Sequence, residues 1–140
     1  MKKKLRQRNQ IDNRGVAIYA RKSRITHKGD STGIQIKQSA DFASSQLQLP
    51  PDYEFMIYED KGLSGYYSDR PDFQKMLHDI EAGKIRAVVC YKLDRISRKT
   101  SDLLRLVDFL DKYDVALLVC SNNINTMIST SKIMISFLAI

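Results

Sequence analysis

Four short apolar runs punctuate the chain, and helical spacing of apolar residues fills the intervals between them. Gly15 to Ala20 (GVAIYA), Tyr53 to Tyr58 (YEFMIY), Ala87 to Tyr91 and Val115 to Cys120 are rich in β-branched or aromatic residues, which suits buried strands. Ser31 or Thr32 can cap a first helix, with Ile34, Ala40, Phe42 and Leu47 as its apolar positions, ending before Pro50-Pro51. Arg70-Pro71 opens a second, in which Phe73, Met76, Leu77 and Ile80 form a stripe and Gly83 marks the end. A third starts at Thr100 or Ser101 and turns Leu103, Leu104, Leu106, Val107 and Leu110 inward. Residues 121–131 read as a polar loop, and a further helix is expected to begin near Thr130.

Strands alternating with helices of this length predict an α/β domain: a mainly parallel central sheet flanked by helices in three layers. Such sheets gather their sites at the carboxyl ends of the strands, near the point where strand order reverses. The polar segments that leave strand one at Arg21 and strand three at Lys92 depart from that edge. A third, Glu59 to Arg70, follows strand two.

The 140 residues suffice for one domain with a real core, and 43% of them are hydrophobic. No apolar run approaches the ~20 residues that a membrane helix requires. The N-terminus has no apolar segment behind its charges, so a cytoplasmic protein is expected. Cys90 and Cys120 match no zinc spacing and read as buried structural thiols. The net charge is +7, and much of it sits at the start. Lys2, Lys3, Lys4, Arg6, Arg8 and Arg14 face one acid, Asp12, so residues 1–14 read as a basic arm and 15–140 as the domain proper. Charge therefore permits a nucleic-acid partner, and the arm is expected to add non-specific phosphate contact.

The candidate chemistry lies in the loops. Arg21-Lys22-Ser23-Arg24 follows strand one, and Lys92-Leu93-Asp94-Arg95-Ile96-Ser97-Arg98 follows strand three. A hydroxyl, a carboxylate and several guanidiniums thus share one rim. There is no phosphate-binding glycine loop, no zinc-protease motif and no carboxylate cluster for a metal pair, so no cofactor or metal is expected. His27 and His78 are isolated and read as surface residues. A serine ringed by arginines suits displacement at a phosphodiester, whose transition state spreads negative charge that planar guanidiniums can neutralise. The absence of a Ser-His-Asp grouping speaks against acyl transfer. Taken singly, each of these residues also fits a blander role. Lys22, Arg24, Arg86 and Arg105 read as surface charges, Asp94 as a helix cap, and Tyr19 as a packed strand residue.

Tyr19-Ala20-Arg21-Lys22-Ser23 resembles the Y-A-R-x-S signature of the serine recombinase (resolvase/invertase) family. Lys92 to Arg98 resembles its K-L-D-R-x-x-R segment, and Gly62-Leu63-Ser64-Gly65 with Arg70-Pro71 resembles its G-x-S-G…R-P segment. All three occur in order, and the likeness runs from about Val16 to the C-terminus. The resemblance implies a resolvase-like fold and a site-specific recombinase acting on double-stranded DNA. In that family Ser23 would be the nucleophile, with Arg21, Arg70, Arg95 and Arg98 binding the phosphate and its transition state. Asp94 would orient an arginine or move a proton, and Gln35 would support the site. The implied reaction is metal-independent cleavage with 5′-phosphoserine links, then strand exchange in a tetramer. The long loop after Ser23 resembles the large serine recombinases of phages, transposons and cassettes.

Two departures stand out. Ile124-Asn125-Thr126 replaces the family's I-D-T, and Ser131 stands where glycine is expected, which bears on assembly more than on chemistry. The family's long dimerisation helix and separate DNA-binding domain would lie beyond Ile140. Two other functions remain open from sequence: a catalytically silent assembly module of the same fold, and a small-ligand domain of flavodoxin type.

Overall fold

A computed structural model describes residues 12–22, 31–61 and 70–127. The elements follow in the order β1 (Gly15–Lys22), α1 (Thr32–Leu47), β2 (Met56–Lys61), α2 (Pro71–Glu81), β3 (Ile85–Cys90), α3 (Thr100–Lys112), β4 (Ala116–Val119) and β5 (Ile124–Asn125), with a 3-10 turn at Leu93–Arg95 between β3 and α3. They form one sheet of order β2-β1-β3-β4-β5. The first four strands are parallel and β5 is antiparallel to β4. This is the three-layer α/β domain that the periodicity predicts.

Period-two alternation in β1 sends its side chains to two separate cores. Val16 and Ile18 pack with Ala43 of α1, Ala87, Val89 and Leu118 on one face. Ala17 and Tyr19 face the other, against Phe73, Met76 and Ile80 of α2 and Leu103, Leu106 and Leu110 of α3. α2 begins with Pro71 in its first turn, and Gly83 follows it at φ +77°, a conformation glycine adopts without steric cost. Strand order reverses between β1 and β3, which run side by side although a whole β-α unit separates them in sequence.

Several boundaries differ from the sequence pattern, each for a local reason. β1 continues through Arg21 and Lys22, because β2 pairs with it to that point. β2 starts at Met56, three residues later than predicted. Tyr53 and Phe55 stay outside the ladder, stacked edge-to-face with each other, and the Tyr53 hydroxyl accepts from the Val16 N–H at 3.0 Å. β3 starts earlier, at Ile85, and β4 is shorter at both ends. Neither Thr100 nor Ser101 caps α3. Its cap is Lys99, with no side-chain bond, and the Ser97 hydroxyl instead accepts from the Lys99 N–H at 3.1 Å and bonds Asp102 at 3.1 Å. The loop after β4 contains β5, tied down by Thr126, whose Oγ1 accepts from the Leu117 N–H at 2.8 Å. Cys90 is buried as expected, whereas Cys120 is only half-buried.

The amino edge of the sheet corrects the expected arm. Residues 1–11 lie outside the described residues, but Asp12 and Arg14 belong to the body of the domain. Arg14 pairs with the Asp12 carboxylate through Nε at 3.0 Å and Nη2 at 2.9 Å. It also donates to the carbonyls of Ile85, Tyr113 and Asp114 at 3.0 to 3.2 Å. Arg86, expected as a surface charge, is half-buried and donates to the Arg14 carbonyl at 3.2 Å.

Candidate active site

The carboxyl edge of β1 and β3 is where charge enters the fold. Arg21, the penultimate residue of β1, points to the α2/α3 face and reaches across to the 3-10 turn after β3. Its Nε donates to the Arg95 carbonyl at 3.1 Å and its Nη2 to the Asp94 carbonyl at 2.9 Å. Burial first, then the nearby positive charges of Arg70, Arg95 and Arg98, hold its pKa below the ordinary arginine value. The four arginines singled out by sequence therefore share one electrostatic neighbourhood.

Arg70 caps no helix with its side chain; it turns inward and is 7% exposed. Its guanidinium carbon lies 4.1 Å from the centroid of the Phe73 ring, in cation–π range. Nη1 donates to the Ile96 carbonyl at 2.6 Å, and Nη2 reaches the same Arg95 carbonyl that Arg21 uses, at 3.4 Å. Nε donates to the Tyr19 hydroxyl at 3.1 Å. Two arginines from different elements thus brace one short turn.

Behind them sits a residue the sequence reading missed. Asp60 in β2 is 2% exposed, within the segment read as a polar loop. Its carboxylate accepts from the Tyr19 hydroxyl at 2.8 Å and from the N–H groups of Asp72 and Phe73 at 3.0 Å each. It therefore supplies the N-terminal cap of α2 from a neighbouring strand. The available signal was its place at the end of an alternating run, in register with Arg21. Burial raises the Tyr19 phenol well above its usual range, with the Asp60 charge adding to this and Arg70 opposing it. Tyr19 is fully buried with its hydroxyl held between Asp60 and Arg70, the setting of a packed strand residue.

Gln35 is also fully buried. Its Oε1 accepts from the Arg21 N–H at 3.3 Å and its Nε2 donates to the Arg21 carbonyl at 3.0 Å. One side chain therefore bonds both backbone groups of Arg21, as a neighbouring strand would. This explains why the buried stripe of α1 is Gln35, Ser39 and Ala43, while Ile34, expected inside, is exposed. Ser31 is the helix cap, accepting from the Ile34 N–H at 3.3 Å.

Arg95 is buried at 5% exposure, with Nε 3.8 Å from Asp94 Oδ1. The Asp94 carboxylate thus faces Arg95, and it is the Asp94 carbonyl that holds Arg21. Arg98 is exposed and makes no hydrogen bond or ion pair among the described residues. Arg21, Gln35, Arg70, Asp94, Arg95 and Arg98 come together at this edge. Ser23, two residues after Arg21, and the Gly62–Gly65 segment lie outside the described residues, as do Arg24 and His27. His78 and Arg105 are exposed, as expected of surface residues. No group of three or more metal-ligating side chains occurs among the described residues, and no helix there is long and apolar enough to cross a membrane.

A family model described as the resolvase N-terminal domain matches residues 16–140. A putative DNA recombinase of Bacillus subtilis (strain 168) is 32% identical over 105 residues, which is 74% of this chain and 20% of that protein. The transposon Tn917 resolvase of Enterococcus faecalis is 32% identical over 76 residues, 54% of this chain and 40% of its own length. The chain thus spans less than half the length of either relative. Among solved structures, the N-terminal catalytic domain of TP901-1 integrase superposes with a TM-score of 0.71 at 27% identity, covering 90% of this chain and 92% of that one. A resolvase family site-specific recombinase from Streptococcus pneumoniae gives 0.66 at 30% identity, covering 90% and 83%.

Proposed function

The chain belongs to the resolvase N-terminal domain family, and from that premise we propose that it is the strand-cutting domain of a site-specific DNA recombinase. Ser23 is the nucleophile. Its Oγ attacks the phosphorus of a DNA phosphodiester and loses its proton to a base. The bond from phosphorus to the 3′ oxygen breaks, that oxygen takes up a proton, and the 5′ end stays on the protein as a phosphoserine ester. Rejoining is the reverse: the 3′-hydroxyl of a new partner strand attacks the ester, and Ser23 regains its proton. Bond energy is conserved through both steps, so no nucleotide cofactor is consumed. Guanidiniums, and no metal, supply the positive charge.

In this reading Arg21, Arg70, Arg95 and Arg98 stabilise the charge that develops on the phosphoryl oxygens. Arg98, exposed and without a partner among the described residues, is the one most available to an incoming phosphate. Asp94 orients Arg95 or takes part in proton transfer, and Gln35 fixes the end of β1 just ahead of Ser23. The observation that carries the reading is the convergence of Arg21, two residues before Ser23 in sequence, and of Arg70 on the 3-10 turn that contains Arg95. Double-stranded DNA is the substrate, the cytoplasm its setting, and the recombining species is an oligomer of the full-length protein.

The test is a denaturation-resistant protein–DNA adduct, formed when the full-length protein carrying this domain meets its recombination site. An adduct that disappears with Ser23→Ala supports the reading. A folded, DNA-bound protein that forms none would instead favour a silent assembly module.

A further inference from the structure

The last rungs of β1 and β2 carry charge in two opposite ways. On the α2/α3 face, Arg21 stands in register with Asp60, a cation beside an anion. One residue later, on the α1 face, Lys22 stands in register with Lys61. Alternation fixes that face, because Lys22 lies four residues beyond Ile18 and Lys61 four beyond Ile57, themselves register partners. Like charges directly opposite on neighbouring strands repel. Lys22 is half-buried and Lys61 exposed, and neither ammonium has a carboxylate partner among the described residues. Glu59, two residues before Lys61 on the same face, forms no ion pair with either. Lys92, two residues beyond the end of the next strand, β3, is exposed at the same edge.

We propose that Lys22 and Lys61 together hold a backbone phosphate of duplex DNA beside the one that Ser23 attacks, with Lys92 extending the contact across β3. The idea rests on the strand-cutting reading for its partner, and it assigns to these lysines duplex positioning, not chemistry. A phosphate between the two ammoniums removes their repulsion, and Lys22 precedes Ser23 directly, so the contact sets the register of the duplex against the nucleophile. An anion held by point charges carries no sequence information, so these lysines position the duplex without reading it.

The experiment measures binding of this chain to a short duplex of arbitrary sequence between about 50 and 200 mM salt. Lys22→Gln/Lys61→Gln is compared with Lys84→Gln/Lys112→Gln, which removes the same charge at the opposite edge of the sheet. The first pair is expected to lower the slope of log affinity against log salt by about 0.9, roughly a three- to fourfold smaller change over that range. The control pair should leave most of the slope, and Lys22→Arg/Lys61→Arg should restore it. Equal slopes for the two glutamine pairs overturn the proposal, as does an unaltered chain without salt-dependent binding. A Ser23-dependent adduct forming alongside equal slopes would sink the lysine contact and leave the strand-cutting reading standing. Absence of the adduct with unequal slopes would do the reverse.

Discussion

Two arginines bracket the same strand, and their surroundings could hardly differ more. Arg14, just before β1, has a carboxylate against its guanidinium and three carbonyls around it. Its charge is matched, and the bonds join three segments at the amino edge of the sheet. Arg21, near the other end, bonds only carbonyl oxygens among the described residues. Its nearest charged company includes three further arginines, which together with burial lower its proton affinity. An arginine matched by a carboxylate holds a fold together. One kept among cations, held by carbonyl oxygens and without an ion pair among the described residues, retains charge that an anionic transition state can use.

That contrast is sharpened most by Arg21→Ala. Strand cleavage should fall by about two to three orders of magnitude in single-turnover assays. Thermal stability should fall by less, about 1 kcal/mol, since the Arg95 carbonyl keeps its bond from Arg70. Arg14→Ala is expected to behave oppositely: unfolding free energy lower by about 2–3 kcal/mol in denaturant titration, with the cleavage rate of the folded fraction intact. A large rate loss at Arg14 would break the comparison.

Gln35→Leu joins the two behaviours in one residue. The Arg21 N–H and carbonyl would lose their partner inside the protein, costing about 1–3 kcal/mol. Cleavage should also drop by about tenfold, because the strand end before Ser23 is released; Gln35→Glu, which keeps the acceptor for the N–H, should lose less. The smallest effect belongs to Arg86→Ala, which removes a single bond to the Arg14 carbonyl. It should cost about 0.5–1 kcal/mol and leave cleavage unchanged, as melting and rate measurements on the same sample would show.

The fold was legible because β1 and β3 contain the apolar runs Gly15 to Ala20 and Ala87 to Cys90, and because α2 and α3 present apolar stripes at helical spacing. α1 was harder to read. Its buried stripe is Gln35, Ser39 and Ala43, since one of its tasks is to bond a strand end, and polar residues doing so carry no hydrophobic period. Arg21, Arg70 and Arg95 were legible through their motifs, and the edge they share through the expected strand order. Asp60 was not, because a carboxylate near a glycine-containing segment looks solvent-facing until the fold brings the start of α2 and the Tyr19 hydroxyl onto it. The same holds for Arg14: nothing local distinguishes it from the other cations of a basic terminus. The carbonyls it bonds lie 71 to 100 residues away in the chain.

The bond pair between Gln35 and Arg21 also bears on how such a domain can vary over evolutionary time. The two residues delimit the stretch that contains Ser23, and their mutual bonds tie its ends together independently of what lies between. A tether of this kind uncouples the length of a connecting segment from the position of its anchors. Doubling such a segment costs only about 0.6 kcal/mol in closure entropy. Insertions and deletions after Ser23 can therefore accumulate among descendants without disturbing the strand end, and lineages are free to experiment with that stretch while the anchors are inherited unchanged.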